Sequence, residues 1–123
     1  MSCLFDSVQI SIVDETSTSI RNKVCDYLER NHAILPGIST SVLLELDRPN
    51  YISEMRKRTT WGGAIEIAVI CNIFNICIMV INTRDNKKNT NTTLKFIPIN
   101  EGIIKNTIYI SWDGCHYTPI CKK

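Results

Sequence analysis

Several things are scarce in this sequence, and each scarcity removes a class of function. Charge of one sign is not in excess: 14 Lys and Arg stand against 12 Asp and Glu, a net of +2. That is too little to draw the chain to nucleic acid or to a membrane surface, so neither is expected as a partner. The basic residues are scattered except at Arg56-Lys57-Arg58 and Lys87-Lys88, which read as solvated faces or loops. No secretory leader is expected, because Met1 to Val13 lacks a basic start and Asp6 cuts its apolar run. The six cysteines, at 3, 25, 71, 77, 115 and 121, do not form a disulfide framework. Cys71 and Cys77 sit inside apolar runs, where a thiol behaves as a small hydrophobe. Reduced thiols in a cytoplasmic setting are the expectation. Ala64 to Ile81 comes nearest to a membrane span, but Glu66, Asn72 and Asn75 interrupt it, and a charge is expensive in lipid. No internal repeat is present. The length suits one domain over residues 1–123, expected to be a monomer.

What is present is organised around Thr59 to Ile70. Gly62 and Gly63 provide a tight entry, since Gly has no Cβ and can take positive φ. Ile65, Ala68 and Val69 then fall at i, i+3 and i+4, a helical face. Asn72 and Asn75 break the run, and Ile76 to Ile81 reads as a buried strand rich in β-branched residues. Leu4, Phe5 and Val8 share a helical face at the start of the chain, with Cys3 in the first turn. Ile20, Val24, Tyr27 and Leu28 predict a longer helix, with Arg21, Lys23, Asp26, Glu29 and Arg30 mainly towards solvent. Ser39 to Leu46 predicts a short helix with Val42, Leu43 and Leu46 inward, and Tyr51 to Arg58 another with Ile52 and Met55 buried. A polar loop follows Ile81. Strands are then expected over Leu94 to Ile99, Thr107 to Trp112 and Tyr117 to Cys121. Helices first and a mostly antiparallel sheet last make the fold class α+β, or mixed α/β, with helices packed on a small sheet.

Only two histidines are available as an imidazole base, His32 and His116. Cys3 followed far downstream by His116 is a pattern of a thiol nucleophile with a distant base. The chemistry needs a thiolate, which a helix N-terminus and a nearby imidazolium both favour. Spacing alone is weak evidence: Cys3 can equally be a packing residue, and His116 a hydrogen-bonded histidine at a strand end. Cys115, His116 and Cys121 match no common zinc-ligand spacing, so neither metal nor other cofactor is expected.

Three segments, in order, resemble the ovarian-tumour (OTU) family of cysteine proteases. Ser2-Cys3-Leu4-Phe5-Asp6-Ser7 is similar to the end of its Asp-Gly-Asn/Ser-Cys-Leu-Phe-x-Ser nucleophile motif. Thr60-Trp61-Gly62-Gly63-Ala64-Ile65-Glu66-Ile67-Ala68 resembles its Trp-Gly-Gly helix entry, and Cys115-His116-Tyr117-Thr118-Pro119-Ile120 its His-Tyr segment. The resemblance covers nearly the whole chain. It implies a papain-like thiol hydrolase, a deubiquitinase acting on ubiquitin or a ubiquitin-like protein. Cys3 would be the nucleophile and His116 the general base. Backbone N–H groups of the Ser2–Cys3 region would form the oxyanion site. Trp61, Gly62, Gly63 and Glu66 would be scaffold, and Tyr117 would pack beside the base. Two departures stand out. Thr118 occupies the position where the family usually has Asp or Asn to orient the imidazole, leaving Asp113 as the nearest acidic substitute. The family's Asp-Gly ahead of the nucleophile has no counterpart before Met1. The alternative is therefore a pseudoenzyme of the same fold that binds ubiquitin or a host protein without cleaving it. Asp14, Glu15, Glu45, Asp47 and Glu54 are candidates to face basic ubiquitin, or are ordinary solvated acids. An Ile-, Asn- and Lys-rich composition suggests an AT-rich, viral source.

Overall fold

The computed structural model describes residues 3–83 and 92–120. Five helices come first: α1 (Cys3–Gln9), α2 (Ser17–Glu29), α3 (Thr40–Asp47), α4 (Tyr51–Met55) and α5 (Ala64–Phe74). Four strands follow: β1 (Ile76–Asn82), β2 (Thr92–Phe96), β3 (Asn106–Trp112) and β4 (Tyr117–Ile120), with a single 3-10 turn at Glu101–Ile103 before β3. The sheet order is β2-β1-β3-β4. Its two outer pairs are antiparallel, as expected, but the central pair β1–β3 is parallel. Local alternation carries no information on strand direction, so this was not readable from the sequence.

The core forms where the periodic apolar positions meet. Leu4, Phe5 and Val8 of α1 are buried, as are Ile20, Val24, Cys25 and Leu28 of α2 and Ile67, Ile70 and Cys71 of α5. They pack on Ile78 and Val80 of β1 and on Ile108 and Ile110 of β3. Helix α1 lies against β3 and β4, and α5 against β1 and β2. A capping box at Thr16 and Ser19 starts α2. Asn75, in the left-handed region at φ 56, ends α5 and turns the chain directly into β1. Asn72 does not break α5. It stays helical and its amide clasps three segments: Nδ2 donates to the Tyr27 hydroxyl (3.2 Å) and Oδ1 accepts from the Ile99 N–H (2.8 Å), with Ala33 O at 3.4 Å from Nδ2. No helix among the described residues is long and apolar enough to cross a membrane.

Two expectations fail. In α3 the inward residues are Thr40 and Leu44, while Val42 and Leu46 are exposed. Among helices and strands its main contact is α4; Leu43 and Leu44 pack on the core, and Val42 and Leu46 are left on the outer side. The second failure is Arg21, which is buried with 2% of its surface exposed. Its guanidinium stacks over the Phe5 ring at 4.4 Å. Nη1 donates to the Met55 carbonyl at 2.8 Å, and Nη2 reaches that of Arg58 at 3.5 Å. One planar cation thus ties α1, α2 and the segment after α4, which a lysine could not do with the same geometry. Removing it leaves buried carbonyls without that donor. Arg21→Met should lower the unfolding free energy by about 2–3 kcal/mol, read from urea denaturation, and Arg21→Lys should recover only part of the loss.

Candidate active site

Helix α1 presents Cys3 as its first residue, half-buried, because Leu4, Phe5 and Val8 fix the helix on the core. The Ser7 hydroxyl donates to the Cys3 carbonyl at 2.7 Å. Cys25, Cys71 and Cys77 are buried. Burial pushes the Cys25 thiol up to about 11 and the Cys71 thiol up to about 12, away from thiolate chemistry. Among the described residues, Cys3 and Cys115 are the thiols open to solvent.

Beside α1 runs the Trp61–Gly63 turn. A Cβ on Gly62 would stand 2.6 Å from Leu4 Cδ2 and 3.2 Å from Phe5 Cε2. The turn backbone therefore lies directly on the residues that follow Cys3. The expectation of positive φ here is corrected: neither Gly62 nor Gly63 adopts it, Gly63 being extended at φ −147. What Gly62 supplies is the absence of a side chain. Gly63 precedes the first turn of α5, and its N–H donates to Glu66 Oε1 at 2.6 Å. The second Glu66 oxygen accepts from the Tyr51 hydroxyl of α4. Glu66 is 1% exposed, and burial raises its pKa, opposed by these two donors. Burial and the adjacent carboxylate likewise drive the Tyr51 hydroxyl upward, so it stays a donor. The Thr60 hydroxyl donates to the Glu54 carbonyl, closing the approach to Trp61.

His116 arrives from the opposite side of this turn. It sits between β3 and β4 in a loop that Asp113 closes. Asp113 Oδ1 accepts from the backbone N–H of Cys115 (2.9 Å) and of His116 (2.8 Å). These bonds hold the carboxyl below its usual range. Gly114, at φ 102, allows the sharp reversal. Asp113 thus fixes the backbone that carries the imidazole, and its described hydrogen bonds all go to that backbone. The imidazole itself meets Trp61: ring centroids lie 5.5 Å apart, with 36° between planes. Tyr117 is half-buried at the head of β4, where burial and the neighbourhood of Cys3 and Glu66 raise its pKa. Its ring faces Trp112 at 6.5 Å. Thr118 is exposed and paired with Ser111 in the β3–β4 ladder.

The structure therefore gathers Cys3, Trp61, Gly62, Gly63, His116 and Tyr117 at one end of the fold, with Glu66 beneath the turn. Among the described residues no hydrogen bond joins the Cys3 thiol to the imidazole. Their association is carried by the packing of α1 on β4 and by the turn that touches both. Ser2 and Cys121 lie outside the described residues. His32 is remote from this cluster, its ring against Tyr27 of α2. Of the candidate acids, Glu15 pairs with Lys23, Asp47 with Arg48 and Glu54 with Lys57. Sequence reasoning missed Tyr51 as the partner of Glu66 and Arg21 as the anchor of the turn. The only signal was a Glu three residues after Gly63, a pattern that fits the helix-starting half of a capping box.

Comparison with known proteins agrees with this geometry. A family model described as OTU-like cysteine protease matches residues 2–118. The chain is 27% identical over 120 residues to the ubiquitin thioesterase OTU1 of Saccharomyces cerevisiae, covering 97% of this chain and 36% of that protein. It spans about a third of the length of such curated relatives. Among solved structures, an OTU domain in complex with ubiquitin matches at a TM-score of 0.70 and 28% identity, over 96% of this chain and 62% of that one. The OTU domain of OTUD1 matches at a TM-score of 0.77 over 98% of this chain and 79% of that one; at 16% identity this speaks for the fold alone.

Two expectations follow from the turn. Gly62→Ala should cost about 1–3 kcal/mol, the usual penalty of overpacking, because Leu4 and Phe5 are fully buried and α1 must shift. Chemical denaturation measures it. The second concerns Glu66, whose carboxyl binds its proton more tightly folded than unfolded. Its contribution is therefore most favourable below the ordinary carboxyl pKa and is lost as pH rises through the higher folded pKa. Glu66→Gln should flatten that part of the stability profile. The wild-type minus variant difference in unfolding free energy should fall as pH rises from about 4 to 7.

Proposed function

The chain belongs to the OTU-like cysteine protease family, and from that membership we propose that it is a thiol protease of the deubiquitinase type. Its substrate is ubiquitin or a ubiquitin-like protein, cut at the peptide or isopeptide bond after the C-terminal glycine. Cys3 acts as nucleophile and His116 as general base. A ring nitrogen of His116 takes the thiol proton, and the thiolate attacks the scissile carbonyl. Backbone N–H groups of the Ser2–Cys3 region stabilise the oxyanion. The imidazolium returns its proton to the departing amine, and the same imidazole then activates water to release the thioester.

One observation carries the reading: the Trp61–Gly62 turn lies on the helix that begins with Cys3 and stacks on the ring of His116. Burial of Cys25, Cys71 and Cys77 supports Cys3 over those thiols. The substrate class is supported by the relatives named as ubiquitin thioesterases and by the OTU domain solved with ubiquitin. Free thiols at the five described cysteines support work in the cytoplasm, and the small net charge supports a protein without nucleic acid or membrane partners. Composition supports a viral source, and hence the host cytoplasm.

The test is ubiquitin carrying an electrophile at its C-terminus. The wild-type protein should form a covalent adduct, and Cys3→Ala and His116→Ala should not. Binding without an adduct would identify a pseudoenzyme. An adduct that survives in Cys3→Ala would move the nucleophile elsewhere.

A further inference from the structure

A thiol–imidazole pair works best when something holds the ring and favours its protonated form. Among the described residues no carboxylate is hydrogen-bonded to the imidazole in that role. Thr118 carries no charge, and one oxygen of Asp113 is taken by two backbone N–H groups, so the Asp113 charge acts on His116 without a bond to its ring. The other titratable groups around the imidazole do not supply one. Cys115 shares its turn, Tyr117 leads β4, and Cys3 begins α1. Asp6 of α1 acts on Arg21 instead, and Glu66 lies behind the turn, occupied by Gly63 and Tyr51.

What does meet the ring is the indole of Trp61, at 5.5 Å between centroids and 36° between planes. A cation within about 6 Å of an aromatic face is attracted by the ring quadrupole, and tryptophan has the strongest such face. The indole is not free to drift. Gly62 seats the turn on Leu4 and Phe5, Glu66 holds the Gly63 N–H, and Arg21 reaches the carbonyls of Met55 and Arg58 upstream. We infer that Trp61 is the positioning residue for His116: its π face orients the imidazole and stabilises the imidazolium where no carboxylate is bonded to the ring. The inference rests on the function proposed above, with His116 as the partner of Cys3. Trp61 acts through the base and needs no contact with substrate. Trp61 is 44% exposed as a residue, so water weakens the attraction and its effect is modest.

The experiment is alkylation of the full chain by iodoacetamide, followed at Cys3 by peptide mass spectrometry so that Cys115 does not interfere. Thiolate displaces iodide, so the rate reports the ionised thiol. Rates are compared at pH 6, where ionisation needs the imidazolium, and at pH 9, where it does not. Trp61→Phe keeps a π face, whereas Trp61→Leu keeps apolar bulk without one. The Phe variant should stay within about twofold of wild type at pH 6, and the Leu variant should fall about three- to tenfold. At pH 9 all three should agree within about twofold. Thr118→Asp, two residues after His116 and facing Ser111 across the β3–β4 ladder, should restore the pH 6 rate of the Leu variant. Fluorinated tryptophan in a Trp112→Phe background tests the same point without changing shape, and must slow the pH 6 reaction relative to ordinary tryptophan. Equal rates for Phe and Leu, or a loss of equal size at pH 9, would overturn the inference and leave Trp61 a spacer. If His116→Ala reacts at pH 6 as fast as wild type, the Cys3–His116 pairing itself is wrong, a distinct outcome.

Discussion

The backbone at Gly62 lies so close to Leu4 and Phe5 that no side chain fits between them. The rest of the site depends on that approach. Helix α1 carries Cys3 and is itself only seven residues long, too short to hold its position by helix formation alone. It is held instead by three buried apolar side chains and by the turn pressed on them. The same turn presents Trp61 to His116. A displacement at Gly62 therefore moves two groups that the proposed reaction needs in register.

Two buried charges hold the turn from below, and each is satisfied mainly through polar groups that the turn and its neighbours would otherwise leave bare. Arg21 reaches the Met55 and Arg58 carbonyls, and Glu66 takes the Gly63 N–H and the Tyr51 hydroxyl. Burying a charge is costly unless it is fully hydrogen-bonded, and no buried side-chain polar atom among the described residues lacks a partner. Such pairs add little net stability compared with apolar packing, but they tolerate few alternative arrangements. That suits a segment whose task is geometric. On the far side the same economy recurs: one oxygen of Asp113 fixes two backbone N–H groups and so the path of the chain through His116.

Much was legible locally. Leu4, Phe5 and Val8 marked α1. The spacing of Ile20, Val24 and Leu28 marked α2, and the β-branched run after Asn75 marked β1. The Cys-Leu-Phe, Trp-Gly-Gly and His-Tyr segments, in order, pointed to the family that the comparison shows. The failures were all non-local. Arg21 looked solvent-facing because it belongs to a charged stretch, and only the approach of the 55–58 segment makes its position interior. Val42 and Leu46 looked inward because the sequence does not reveal which side of α3 meets the core. For Gly62 the missing Cβ was the right half of the reason and positive φ the wrong half, and only the fold shows that Leu4 and Phe5 take the space.

By itself the sequence determined which segments are helix and strand, where the apolar faces lie, and which residue types are available for thiol chemistry. These follow from periodicity and side-chain chemistry, which act within a few residues of chain. The tertiary structure alone decided that β1 and β3 run parallel and that Tyr51 completes Glu66. It also decided that Trp61 meets the ring of His116. Each is a contact between residues far apart in the chain, and it exists only because the whole core packs in one way.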